Sequence, residues 1–178
     1  MGADKGVAMS SMLPCLLYTS GWAKVDGKWY YLNADGIRQT GWQKVQNQWY
    51  YLKSDGAMAT GWLKLGNTWY YLKASGVMAT GWLQDGGVWY YLYNWGGMAN
   101  SSWVQIGGVW YYFRGNGHMM TGWLQQGNTW YYLKASGAMA TNWNWVENNC
   151  YYFAENGKMA ANTIIDGYKV NASGAWVK

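Results

Sequence analysis

Tryptophan and tyrosine are the residues here that can do chemistry by number and spacing. The 178-residue chain holds 16 Trp and 17 Tyr but only 2 Phe. Gly-Trp recurs at Gly21-Trp22, Gly41-Trp42, Gly61-Trp62 and Gly81-Trp82, then shifts by one to Ser102-Trp103, and continues at Gly122-Trp123 and Asn142-Trp143. A second Trp follows seven residues later at Trp29, Trp49, Trp69, Trp89, Trp110 and Trp130, and Cys150 takes that slot in the seventh copy. A Tyr pair stands behind each slot, from Tyr30-Tyr31 to Tyr151-Tyr152. Exposed π-faces in such number suit two ligand classes. Sugars stack an apolar face on one ring and need polar groups around it. Quaternary ammonium groups need several rings arranged as a box, where the negative ring faces attract the cation. Methionine adds a soft, polarisable floor. The repeat supplies no regular Asp, Asn or Glu beside each Trp, which favours the cation. Packing alone explains Tyr50 and Leu52 well but the two Trp poorly, since Leu, Ile or Val fill most cores.

The elements that position these rings are strands. Helical periodicity is absent, and aromatic runs are bounded by Asp-Gly or Ser-Gly turn signals. Trp49 to Leu52, a turn at Lys53 to Gly56, and Ala57 to Trp62 read as one hairpin. Leu52 then pairs with Ala57, which sets Trp49, Tyr51, Met58 and Trp62 on one face and Tyr50, Leu52, Ala57 and Ala59 on the other. Trp95 interrupts the Asp/Ser-Gly signal, so the fourth turn is expected to be irregular. A lone hairpin is too small to be stable, but stacked ones bury their faces on each other. The fold class is therefore all-β, a repeat solenoid of stacked β-hairpins. Three segments follow: a non-repeating, disordered leader at 1–20, tandem hairpins of about 20 residues at 21–161, and a capping repeat at 162–178. The leader lacks the layout of a signal peptide.

Catalysis is not expected, so the chain reads as a non-enzyme. The lone His118 lies in a turn slot held elsewhere by Ala57 or Ala138. The eight carboxylates fall mostly in turns, and no nucleophile sits beside a base. Cys15 and Cys150 make neither a disulfide framework nor a metal site, and no cofactor is implied. No apolar run is long enough for a membrane helix. The formal net charge of +5 describes a mildly basic surface, not a nucleic-acid stripe.

The run through Gly61-Trp62, Trp69-Tyr70-Tyr71, Ser75-Gly76 and Met78-Ala79-Thr80-Gly81-Trp82 resembles the choline-binding repeat of bacterial cell-wall-binding proteins and phage lysins. The resemblance covers residues 21 to 178. It implies a left-handed superhelix with each choline held by two Trp of one repeat and a Tyr and Met of the next. Carried over, the cages are Trp22, Trp29, Tyr51 and Met58; Trp42, Trp49, Tyr71 and Met78; and Trp62, Trp69, Tyr91 and Met98. They continue with Trp82, Trp89, Tyr112 and Met119; Trp103, Trp110, Tyr132 and Met139; and Trp123, Trp130, Tyr152 and Met159. The function so implied is attachment of a secreted protein to phosphocholine on teichoic or lipoteichoic acid at the bacterial cell surface. The resemblance also admits a choline-dependent homodimer. Glucan binding and a purely structural or interaction solenoid are the alternatives. Arg38 in a Met slot, the extra residue before Ser102 and the Trp95 turn are expected to distort neighbouring sites. Cys150 removes a ring from the last interface, so no seventh site is expected there.

Overall fold

A computed structural model describes residues 20–177. The expected leader therefore lies outside the described residues, Ser20 excepted. The described residues form strands and no helix. Seven antiparallel pairs come first: β1 (Gly21–Val25) with β2 (Lys28–Leu32), β3 (Gly41–Val45) with β4 (Gln48–Leu52), β5 (Gly61–Leu65) with β6 (Thr68–Leu72), β7 (Gly81–Asp85) with β8 (Val88–Leu92), β9 (Ser102–Ile106) with β10 (Val109–Phe113), β11 (Gly122–Gln126) with β12 (Thr129–Leu133), and β13 (Asn142–Val146) with β14 (Asn149–Phe153). A three-stranded sheet follows, with β15 (Thr163–Ile165), β16 (Tyr168–Val170) and β17 (Trp176–Val177) in that order. The chain is an all-β hairpin solenoid.

The hairpins close elsewhere than the sequence suggests. Asp26-Gly27 and Gln46-Asn47 join the strands, and all four residues have positive φ, between 47° and 78°. Two consecutive positive-φ residues define the I′ turn, whose twist matches that of paired strands. Trp42 therefore pairs with Tyr51, and Lys44 with Trp49. The turn expected at 53–56 is present but wider. Lys53 N–H donates to the Ala57 carbonyl at 2.8 Å, and the bridge beyond it joins Leu52 to Met58, not to Ala57. The extra loop residue shifts the register by one, and such a shift moves a side chain to the other face. Met58 thus shares the face of Leu52 and Tyr50, not that of Tyr51.

The segment after this loop binds two hairpins through adjacent residues. Ala59 N–H donates to Tyr51 of its own hairpin at 2.8 Å, while Met58 N–H donates to the Trp29 carbonyl of the preceding hairpin at 2.7 Å. Neither the Trp95 turn nor the extra residue breaks this pattern. Tyr93 N–H reaches the Gly97 carbonyl at 2.8 Å, as in regular copies, so the fourth turn is regular. Ser101 absorbs the extra residue at φ 44°, and Met119 still donates to Trp89 at 2.8 Å.

Two compact units divide the chain. One runs to Leu63 and includes Leu72–Met78, and the other holds Lys64–Tyr71 and the chain from Ala79 onward. In the first, Leu52, Ala59 and Leu72 are buried; in the second, Leu92, Ala99, Phe113, Leu133, Ala140, Phe153 and Val170 are. From the second hairpin onward each thus contributes one large buried apolar residue at the end of its second strand, while Leu32 of the first is only half-buried, and fully burying such a side chain is worth about 1.5–3 kcal/mol. Methionines wedge against the next loop. A Cβ at Gly137, where φ is +82°, would collide with the Met119 side chain. Gly137→Ala should therefore destabilise by about 1–3 kcal/mol. Gly127→Asn, at φ +59° with open space beside it, should cost less, because nothing collides there and Asn is among the residues that enter this backbone region most readily. Thermal unfolding of the two variants checks the contrast.

Candidate functional site

Pairing fixes which side chains share a face. Trp82, Gln84, Trp89 and Tyr91 lie on one face of their hairpin, because Trp82 pairs with Tyr91 and Gln84 with Trp89. In the next hairpin Val104 pairs with Tyr111 and Ser102 with Phe113, on the opposite face to the Trp103–Tyr112 pair. Successive hairpins meet through unlike faces. Trp82 lies 4.9 Å from Tyr111 and 5.9 Å from Phe113 across the interface, and 5.4 Å from Tyr91 within its own hairpin. Trp89 stands perpendicular to Trp82, at 6.1 Å and 88°. Trp123 repeats this, with Tyr151 at 4.8 Å across the interface and Trp130 at 6.0 Å and 88°.

These walls enclose open grooves. One of about 360 Å³ is lined by Trp82, Trp89, Tyr111, Met119, Ala135 and Ser136. Another of about 390 Å³ is lined by Trp123, Trp130, Tyr151, Met159, Ala172 and Ser173. Each groove draws on three successive repeats. The second Trp of the full copies (Trp29, Trp49, Trp69, Trp89, Trp110 and Trp130) stays 37–41% exposed. A ring present only for packing would be more deeply covered.

The expected sets are assembled with one systematic change. Trp82, Trp89 and Met119 come together, as do Trp123, Trp130 and Met159, but the first tyrosine of the next pair lines each groove. Tyr111 and Tyr151 occupy the places expected for Tyr112 and Tyr152. Elsewhere Trp22 meets Tyr50 at 4.7 Å, not Tyr51, and Trp103 meets Tyr131 at 5.1 Å, not Tyr132. The one-residue register shift is the cause. The second tyrosines instead back the Trp of their own hairpin, as Tyr31 does Trp22, Tyr51 does Trp42, Tyr112 does Trp103 and Tyr132 does Trp123, at 5.1–5.2 Å. Met58 and Met139 donate backbone N–H bonds to Trp29 and Trp110, as Met78 does to Trp49 and Met98 to Trp69. The sets with Tyr71 and with Trp62 are each divided between the two units. Ala135, Ser136, Ala172 and Ser173 were not anticipated. They come from the loop of a third repeat, which no spacing within one repeat displays.

Local differences tune the rings. Lys24, Lys44 and Lys64 hold their ammonium groups 5.7–5.9 Å from the centres of Trp29, Trp49 and Trp69. Gln84, Gln105 and Gln125 replace them later in the chain. Trp103 Nε1–H donates to Gln126 Oε1 at 2.9 Å. Arg38 does alter its Met slot: its guanidinium lies 4.4 Å over Tyr30 and donates to the Asp55 carbonyl at 3.2 Å. Trp95 stacks on Tyr93 at 5.7 Å and meets Tyr70 edge-on. His118 sits edge-on to Tyr90 in its turn. Among the described residues no group of three His, Cys, Asp or Glu could hold a metal ion.

A row of hairpins with aromatic grooves defines a ligand-binding repeat module. Choline-binding repeat models match residues 19–60, 39–80, 59–103, 100–143 and 143–176. The chain belongs to the choline-binding repeat family, and its hairpin array is a choline-binding module. Among solved structures it is similar to CbpJ from Streptococcus pneumoniae TIGR4, with 48% identity, 89% of this chain and 58% of that chain covered, and a TM-score of 0.84. CbpF, which in Streptococcus pneumoniae is named choline binding protein F, is similar in its complex with ipratropium, with 42% identity, 89% and 59% covered, and a TM-score of 0.82. The modular autolysin LytC of Streptococcus pneumoniae shows 35% identity, 89% and 37% covered, and a TM-score of 0.69. The chain thus spans little more than half the length of CbpJ and CbpF. No curated protein matches it.

Burial, and then the Asp85 carboxylate, push the Tyr90 phenol above the usual tyrosine range. The folded state then holds this proton more tightly than the unfolded chain does. The resulting stability is complete below the ordinary tyrosine pKa of about 10 and is lost as pH rises through the folded value. Tyr90→Phe should therefore flatten the alkaline fall of the unfolding midpoint, read by thermal melts between about pH 8 and 11.

Proposed function

We propose that this chain anchors a protein at the bacterial cell surface by binding phosphocholine on teichoic or lipoteichoic acid, without catalysing a reaction. The observation that carries this reading is the groove itself: two perpendicular Trp, a Tyr from the next hairpin and a Met, with the second Trp left open to solvent. A trimethylammonium group spreads its charge over methyls that cannot donate strong hydrogen bonds. Ring faces meet it with negative potential, worth up to about 2 kcal/mol or more when desolvated. The Met thioether adds polarisable contact. Relatives support the same chemistry, since CbpF has been solved with ipratropium, a quaternary ammonium compound.

The phosphate end meets a different surface. Lys24, Lys44 and Lys64 stand beside the second Trp of their hairpins, where an ammonium attracts phosphate and is screened by salt. A single groove binds weakly, at about −4 kcal/mol, or millimolar affinity. Several grooves engaging one polymer raise the overall strength through effective concentration. Polymer retention should therefore fall steeply as hairpins are removed one at a time.

Tryptophan fluorescence titrated with choline, tetramethylammonium and a glucan oligomer tests the reading. Saturable changes with both ammonium ligands and none with the glucan are expected. A glucan response alone overturns it in favour of carbohydrate binding, and no response to any ligand leaves the rings as packing. Trp130→Ala should remove the response of one groove while its unfolding midpoint stays near that of the parent chain. Global unfolding of this variant would mark Trp130 as structural.

A further inference from the structure

Two of the wide loops contain a dipeptide that the others lack. Asn116-Gly117 and Asn156-Gly157 are the two Asn-Gly pairs of the chain. At the same slot the other loops carry Asp35, Asp55, Ser75, Trp95, Ser136 and Ser173. An asparagine followed by glycine is prone to attack by its own backbone, because glycine has no side chain to shield its nitrogen. Base removes the proton of the glycine N–H. The nitrogen attacks the asparagine Cγ, the Cγ–Nδ2 bond breaks, and ammonia leaves a five-membered imide. Water then opens the imide at one of its two carbonyls. One opening yields aspartate, and the other yields isoaspartate, in which the chain runs through Cγ. Water is the co-reactant, and no oxidant or reductant takes part. Asp35 and Asp55 resist the same attack, because a carboxylate ionised at neutral pH is a poor electrophile.

The fold holds the two reacting groups differently. Both asparagines are exposed, whereas Gly117 and Gly157 are buried. Asn116 Oδ1 accepts from the His118 N–H at 3.1 Å, and Asn156 Oδ1 from the Lys158 N–H at 3.2 Å. Such bonds to the backbone two residues on are what make asparagine a turn former. The attacking nitrogens are engaged as well. Gly117 N–H donates to the Arg114 carbonyl and Gly157 N–H to the Ala154 carbonyl, both at 2.8 Å. A methionine of the preceding repeat covers each glycine: a Cβ at Gly117 would strike the Met98 side chain, and one at Gly157 that of Met139. A buried, hydrogen-bonded N–H meets solvent base only when its segment opens locally.

We propose that Asn116 and Asn156 are modification sites, which deamidate at a rate set by how often Met98 and Met139 release their loops. The product acts back on the fold. Isoaspartate inserts one more atom into the loop backbone and removes the side-chain carbonyl that His118 or Lys158 donates to. Met119 and Met159 follow two residues after the two glycines, and their N–H groups make the links to Trp89 and Trp130 at 2.8 and 2.9 Å. The modification therefore loosens two contacts between hairpins. Each event also lowers the formal net charge of +5 by one.

Peptide mapping by mass spectrometry, with fragmentation that separates aspartate from isoaspartate, times both conversions in mildly alkaline buffer. Each asparagine should convert several-fold more slowly in the folded chain than in urea. Met98→Ala should speed Asn116 several-fold and leave the rate at Asn156 unchanged, and Met139→Ala should do the reverse. Met98→Leu, which refills the space, should restore the slow rate at Asn116. Equal rates in buffer and in urea would overturn the proposal, because the loops would then impose no gate. Acceleration of both sites by an alanine variant that still melts cooperatively would also overturn it, since the opening would then be global. Chain enriched in isoaspartate at both positions should unfold at a lower temperature than the Asn116→Asp, Asn156→Asp chain, which adds the charge without lengthening the backbone. Equal midpoints would overturn the claimed effect on the hairpin contacts.

Discussion

Every groove depends on one backbone hydrogen bond. The N–H after each wide loop, on Met58, Met78, Met98, Met119, Met139 or Met159, donates to the carbonyl of the second Trp one hairpin earlier, at 2.7–2.9 Å. The neighbouring residue bonds instead to its own hairpin, so this short segment carries both links. It fixes the spacing of unlike faces and brings the methionine side chain beside a tryptophan of the previous repeat. The next glycine is held by the same methionine, since a Cβ at Gly76, Gly117, Gly137 or Gly157 would strike Met58, Met98, Met119 or Met139. A net backbone hydrogen bond contributes only about 1 kcal/mol. Its structural weight comes from repetition, as stability in solenoids is a sum of nearest-neighbour terms.

Given that constraint, the faces are free to vary so long as a ring or a soft side chain fills each slot. The Lys that stands beside the second Trp in the first three copies becomes Gln in the next three and Trp145 in the seventh. The Met slot becomes Arg38 at one end and Trp176 at the other. An arginine over Tyr30 and a tryptophan beside Tyr168 fill the same position differently: one brings the chain's own cation to a ring, and the other sets a second ring against the first. The side chains at these two positions thus run from basic to aromatic along the chain.

Much of this was legible in the residues. The 20-residue step, the two Trp seven apart and the Tyr pairs announced hairpins and open rings. The register did not follow, because two turn signals compete in each repeat. Asp55-Gly56 is the stronger dipeptide, yet it closes a five-residue loop, while the less conspicuous Gln46-Asn47 closes the hairpin. Asp26-Gly27, Gly86-Gly87 and Gly107-Gly108 at the same place were the signal that could have decided it. The one-residue error moved Met58 onto the wrong face and selected Tyr51 over Tyr50. Ser136 and Ser173 were illegible for another reason: they enter their grooves from a third repeat, and only packing reveals that.

A crystal structure of the chain grown with choline would locate the ligand. A trimethylammonium group is expected between Trp82, Trp89, Tyr111 and Met119, with the Tyr112 ring behind Trp103 and away from the ligand. Choline bound against Tyr112, or grooves left empty at saturating choline, would contradict it.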